Sequence, residues 1–405
     1  MKGIGVKRVT LPEAPFEWLL RDEFTDTRAA GAVNGTAATP GPGTRVVTDT
    51  DGDALSVGGG VVSFANPNGV WGDPGLWYRA FARTAGRVLL FNATIGVASK
   101  LQEFGWDSGQ AGSLLDSIYF YSDNAVAIRH NLVVYPAIGP AYATGTAYSA
   151  AVIQRAVGAY HMFKVGANWT LLWVGSVSVA DPLYPAAVTN NGTFSMEWFR
   201  IPAYLYLPPV QAYDTFTRAN GALGSSEGTG PEGQGVSARS WANQVGTTLV
   251  AGNAASASVL AGGIAIATVE TATADVLHGA KLTRAGNEVG VVVRYADSNN
   301  YVRAYHDGAN AKLDKVVGGV VTNVITAAQA YAAGTYIWVI CDGTQFDLYY
   351  NNTKIGATGT IADAALQNGT EHGLYSTNVG NSQDDMLTMP RGTEGQYNGL
   401  DKYGG

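Results

Sequence analysis

The feature that most constrains this chain is that it states one design twice. The segment LLRDEFTDTRAAGAVNGT, with Phe24 two residues after Asp22, is answered by QAYDTFTRANGALGSSEGT, with Phe216 two residues after Asp214. Both continue through Thr and Arg to small residues and Gly. GGGVVSFA at 58–65 parallels AGGIAIAT at 261–268, and AYATGTAYSAAVIQ at 141–154 parallels AYAAGTYIWVIC at 330–341. The last two are each followed by an aromatic-bearing segment, YHMFKVGANWTLLWVG and QFDLYYNNTKIG. Matches that keep their order and spacing mark an internal repeat, which decides the fold before any local reading does. The expected organisation is an arm at 1–18, a first domain at 19–205, a Pro-rich link at 206–211, a second domain at 212–390 and a tail at 391–405. Two domains also suit 405 residues, more than one hydrophobic core accommodates.

The repeated unit reads as strand and turn. In EVGVVVRYADSNNYVRAYHDG, two alternating runs flank an Asp/Ser/Asn turn, placing Tyr301, Arg303 and Tyr305 on one face and Val302, Ala304 and His306 on the other. TYIWVICDGTQFDLYYNNTKIG repeats the pattern, with turns at Asp342-Gly343 and Asn351-Asn352. No helix of three turns is coded. The 52 glycines and 21 tyrosines favour short strands and tight turns. The fold class is all-β: two tandem antiparallel β-sandwich domains.

DTFTRANGALG, the lone Trp241, GGIAIAT, VGVVVRYADSNNYVRAYHDG and YAAGTYIWVICDGTQFDLYYNNTKIG together resemble the concanavalin A-like, or laminin-G-like, jelly-roll domains of bacterial surface proteins and of phage tail and capsid-associated proteins. The resemblance covers nearly all of 212–390. The first copy is more diverged and departs at VWGDPGLWYRAFAR and LQEFGWDSGQAGSLLDS, where insertions and extra tryptophans enter. Related jelly rolls include glucanases with Glu-x-Asp-x-x-Glu on one strand. SMEWFR and QDDML lack that triplet, so no catalytic residue and no enzyme is expected.

Few residues stand out as ligands. His130, His161, His278, His306 and His372 have no partner at metal-ligand spacing and read as sheet or surface residues. In TDTDGDAL, Asp49, Asp51 and Asp53 supply alternating carboxylates of the kind Ca2+ takes, against the simpler reading of a solvated Asp/Gly turn. Trp71 and Trp106, flanked by Gly and Asp in expected loops, are the candidate contacts for a sugar or a partner, because a flat exposed indole stacks well on a sugar ring. Cys341 lies in an apolar run and reads as a buried structural thiol.

A net charge of -7 without a Lys/Arg run argues against nucleic acid. With no stretch long and apolar enough for a signal peptide or a bilayer span, the expectation is synthesis in the host cytoplasm and no membrane insertion. PEAPFEWLL and MPRGTEGQYNGLDKYGG read as extended arms whose aromatics have no domain of their own, suited to contacts with other subunits. With the family resemblance, this points to a non-enzymatic phage virion protein of tail or capsid-decoration type. Its expected partners are other virion proteins, itself as a homo-oligomer, and surface polysaccharide. The alternatives are a tandem carbohydrate-binding protein and a glycoside hydrolase with an unrecognised site.

Overall fold

The computed structural model describes residues 17–403 apart from 51, 53, 66–68, 98–99, 110–112, 177 and 393–394. Its regular secondary structure is almost entirely antiparallel strand. Its longest α-helix among the described residues is the single turn Ala364–Gln367, and none is long and apolar enough to cross a membrane.

Strands from Trp18 to Pro202 build one sandwich and strands from Ala212 to Pro390 another. The seven-stranded sheet of the first runs, edge to edge, Val133–Tyr135, Val126–His130, Asp116–Phe120, Gln102–Asp107, Tyr184–Thr189, Gly75–Trp77, Val46–Thr48. That of the second runs Val320–Ala328, Asn310–Val317, Asn300–His306, Val289–Asp297, Glu371–Ser376, Ala265–Glu270, Ala242–Val245. Numbered along each domain, the two orders are the same. The larger sheets also correspond, with Asn168–Val174, Ala159–Val165, Ala147–Gln154, Val88–Ile95, Phe194–Pro202, Val61–Phe64 and Leu55–Gly58 matching Thr353–Thr360, Gln345–Tyr350, Thr335–Asp342, Val276–Thr283, Ser382–Pro390, Ala255–Val259 and Thr247–Val250.

This correspondence corrects one sequence match. GGGVVSFA leads into Val61–Phe64, whose counterpart is Ala255–Val259, whereas AGGIAIAT leads into Ala265–Glu270, the counterpart of Gly75–Trp77. A glycine turn before an alternating strand recurs at many hairpins, so it cannot fix which hairpin is which.

The opening motif has a physical reason in both copies. Phe24 and Phe216 hold φ of 50° and 52°, a left-handed region that aromatic residues rarely enter. Each is pinned by the preceding carboxylate, which accepts its N–H at 3.1 Å from Asp22 and 2.8 Å from Asp214. The carboxylates are in turn held bidentately, Asp22 by the buried Arg45 at 2.6 and 2.7 Å and Asp214 by Arg218 at 2.7 and 2.9 Å. Charge-assisted pairs of this geometry are strong, and both phenylalanine rings are fully buried.

Alternation fills the cores as read from sequence in the second domain. Val302 and Ala304 face inward, while Tyr301 and Tyr305 join Tyr295 and Tyr375 on the outer face of the seven-stranded sheet. Cys341 is buried, and burial pushes its thiol up to about 12.

The domains meet through the outer face of the second larger sheet. Trp338, Ile340, Leu387 and Met389 join the core of the first domain, and Tyr349 packs at 4.8 Å on Trp173. Arg155 pairs with Glu232 at 2.6 Å across the same boundary. The C-terminal segment, expected from sequence to be a free arm, packs against the first domain instead. Arg391 donates to the Leu171 carbonyl, and Tyr397 and Leu400 are fully buried in the first domain's cluster. Asp401 accepts from Lys164 at 2.9 Å and from Trp169 at 3.0 Å. The segment is no free arm, because the outer face of the first larger sheet supplies the apolar surface its aromatics need. Residues 1–16 lie outside the described residues.

Candidate functional site

The two domains differ most on the outer faces of their seven-stranded sheets. In the second, the strands Val289–Asp297 and Asn300–His306 are joined by residues 298–299 alone. In the first, their counterparts Gln102–Asp107 and Asp116–Phe120 are joined by 108–115, eight residues. Likewise 65–74 connects Val61–Phe64 to Gly75–Trp77, ten residues against the five of 260–264. These two longer connections are among the places where the sequence departs from its own repeat.

Trp71 of one and Leu114 of the other meet at one surface. Along Gln102–Asp107, Phe104 and Trp106 point into the core, leaving Glu103, Gly105 and Asp107 on the outer face. Trp77 lies flat there, against Leu114 of the longer connection and Ala186 and Val188 of the next strand. It can do so because residue 75 is Gly; a Cβ there would lie 2.2 Å from the indole. Its Nε1 donates to Asp107 at 3.3 Å.

Trp71, half-buried, completes the surface. Its ring meets Tyr119 edge-on at 5.9 Å, and the Arg129 guanidinium sits 5.2 Å from the centroid of each ring. Cation–π contact and ion pairing fix that guanidinium, since Arg129 also reaches Glu103 at 2.8 Å. Tyr121 and Tyr184, both half-buried, extend the aromatic surface.

Glu103 is the unusual group. It is fully buried, and burial pushes its pKa up to about 7 against the opposing pull of Arg129, the Leu114 N–H at 3.0 Å and Ser117. The charge of Asp107 adds to the rise. At neutral pH the group is therefore divided between acid and carboxylate.

The other outer face is self-contained. Arg303 lies between Tyr305 and Tyr375, 4.9 and 5.0 Å from the ring centroids, and pairs with Asp314 at 2.9 Å and Glu288 at 3.4 Å. Tyr305 and Tyr375 donate to those same carboxylates. Its tyrosines are buried against one another.

The residues singled out from sequence fall apart. Trp71 stands on the candidate surface. Trp106 does not and is corrected: it is fully buried, donates to the Val152 carbonyl at 3.0 Å and packs edge-on against Phe81. Its Gly and Asp neighbours are the outward residues of a strand, not a loop. Asp49 spends its carboxylate on the backbone N–H groups of Gly52, Ala54 and Leu55, at 3.1 to 3.2 Å. Asp51 and Asp53 lie outside the described residues. Glu103, Asp107 and Arg129 escaped notice, although the i,i+4 acids of QEFGWD share a face once that segment is taken as a strand.

No family model and no curated protein matches the chain. Among solved structures it is similar to a carbohydrate-binding module, CBM66, from Bacillus subtilis, at 13% identity and TM-score 0.29, over 37% of this chain and 92% of that one. It is also similar to sheep galectin-11, at 12% and 0.24, over 30% and 94%. A β-1,3-glucanase from Mycobacterium marinum gives 11% and 0.32, over 46% and 100%. Likenesses at this level carry no functional argument. The jelly-roll sandwich architecture is read from the strand order itself.

Proposed function

We propose that the chain binds glycans on the outer face of the first domain's seven-stranded sheet, without a catalytic step. The observation that carries this reading is the half-buried Trp71 ring, held against Tyr119 with the Arg129 guanidinium beside both. The open side of the Trp71 ring takes the apolar face of a sugar, while the buried Arg129, paired with Glu103, and Tyr119 hold that ring in place. Trp71 and Leu114, from two connections longer than those of the second domain, border the face. Residence in a virion would place such a surface at a host envelope.

The test is a glycan array probed with the full-length protein, followed by titration of the strongest hit. Trp71→Ala is expected to weaken binding about tenfold or more, a loss of roughly 1.4 kcal/mol. Trp198→Ala, on the opposite sheet, is expected to leave it unchanged. An empty array, or undiminished binding by Trp71→Ala, counts against the proposal.

One observation favours a second reading, glycoside hydrolysis. Glu103, raised to about 7, and Asp107 share a strand face, and glycosidases divide labour between a protonated acid and an ionised carboxylate. Release of reducing sugar from a bound glycan, abolished by Glu103→Gln while binding persists, would select it.

A further inference from the structure

Between the sheets of the first domain, below the surface just described, Asp116, His130 and His161 converge. One ligand atom from each lies within 4.8 Å of the others, and all three residues are buried. Asp116 and His130 face each other across a strand pair of the seven-stranded sheet, with Nδ1 of His130 2.5 Å from Asp116 Oδ1. His161 comes from Ala159–Val165 in the opposite sheet, its ring 6.0 Å from that of His130.

The polar atoms here are incompletely satisfied. Asp116 Oδ2 and both ring nitrogens of His161 are buried without a hydrogen bond. The backbones of Arg129 and Trp173 approach the His161 ring without reaching hydrogen-bond geometry. Arg83 stands 3.9 Å from Asp116 Oδ2, but its guanidinium is engaged by the carbonyls of Ala180 and Gly158 and by Ser178. Gly175 makes room for the cluster, since a Cβ there would lie 2.3 Å from His130 Nδ1. Buried polar atoms in folded proteins are nearly always paired, so three without hydrogen bonds in one cluster need a reason.

The second domain shows that buried histidines in this fold can be satisfied by protein alone. His278 bonds Thr388 at 2.8 Å and the Gly373 carbonyl at 3.0 Å. His372 bonds the Thr273 carbonyl at 2.8 Å and accepts the Arg294 N–H at 3.2 Å. All four ring nitrogens are used.

We propose that Asp116, His130 and His161 bind one divalent transition-metal ion, Zn2+ in the first instance, as a three-donor clasp between the two sheets. Two imidazoles and a carboxylate are a zinc-type donor set, whereas Ca2+ and Mg2+ require oxygen ligands throughout. The ion would occupy the lone pairs left over at Asp116 and His161. Because neighbouring residues in a strand point to opposite faces, the clasp would also hold the strands that present Ser117 and Arg129 on the outer surface. It does not depend on what that surface binds.

Full-length protein is produced in zinc-supplemented medium, gel-filtered, and its metal content measured by mass spectrometry. A second sample is unfolded with chelator and refolded with Co2+. About one zinc per chain is expected, with a thermal midpoint above that of chelator-refolded protein, and visible absorption from the cobalt form. His161→Leu and Asp116→Asn are expected to lose the ion, and His278→Leu to retain it. Wild-type protein with no zinc above the buffer blank and no midpoint shift on refolding with metal would overturn the proposal, as would full zinc content in His161→Leu. If the variants fail to fold by circular dichroism, the wild-type stoichiometry decides alone.

Discussion

The same strand order, built twice in one chain, has been put to different use. In the second domain the outer face of the seven-stranded sheet closes on itself, with Tyr305, Tyr375, Arg303, Asp314 and Glu288 bonded to one another, and the buried histidines beneath find protein partners. In the first domain the corresponding face is met by two longer connections. It gathers Trp71, Trp77, Tyr119 and Arg129 around an acid of raised pKa, above buried polar atoms that find no hydrogen bond. The copy faithful to the repeat satisfies its outer-face charges and its buried histidines internally, and the copy that departs from it leaves Asp116 and His161 without hydrogen bonds. This is why the functional reading rests on the first.

The comparison can be strained with acid. Burial holds His278 at about 3 and His372 at about 4, so in the folded chain both stay neutral while unfolded histidines protonate near 6.5. Their contribution is fully present above about pH 6.5 and is lost as pH falls toward 4, by up to roughly 1.4 kcal/mol per pH unit for each. Urea midpoints measured from pH 7 to pH 4 should fall steeply, and less so in His278→Gln. A flat profile would contradict the neutral, buried pair.

Removing residues 391–405 should cost roughly 3–6 kcal/mol, since the fully buried Tyr397 and Leu400 are worth about 1.5–3 kcal/mol each. Calorimetry should show a lower midpoint, while the mass in solution should stay that of the untruncated chain less its tail. A fall from oligomer to monomer would restore the assembly role read from sequence. Asp22→Ala should cost about 3 kcal/mol, because the fully buried Arg45 keeps only Asp26 as a counter-charge and the Phe24 N–H and the Tyr78 hydroxyl lose their acceptor. Asp214→Ala should cost less, since the side chain of Arg218 remains 29% exposed to water. Equal urea midpoints for the two variants would remove that asymmetry.

The effect of Glu103 has the opposite sign to that of the histidines. Glu103 titrates near 7 in the folded chain and near 4.5 unfolded, so its contribution is full below about pH 4.5 and is lost as pH rises toward 7. Glu103→Gln should remove a decline of at most about 1.4 kcal/mol per pH unit across that window. An unchanged profile would mean that Arg129 keeps the carboxylate ionised.

Much of the fold was legible because it is local. The period-two pattern around Tyr301, Arg303 and Tyr305, and the turns at Asp342-Gly343 and Asn351-Asn352, are decided by neighbours in sequence. Asn351 and Asn352 hold φ of 48° and 59°. What failed was also local but ambiguous. Gly105 and Asp107 flank Trp106 as turn residues would, yet here they are the outward positions of a strand whose inward ones are Phe104 and Trp106. The site was less legible than the fold. Trp71 could be noticed as an aromatic in an insertion, but the Glu103–Arg129 pair and the Asp116, His130 and His161 cluster are assembled by strand pairing and sheet packing. No spacing in the sequence records that assembly.

The most direct test is hydrogen–deuterium exchange of the full-length protein with and without its strongest array glycan. Slower exchange at 69–74 and 113–115, with 301–316 unchanged, is the expected result. Protection confined to 301–316 would move the binding surface to the second domain and contradict the assignment made here.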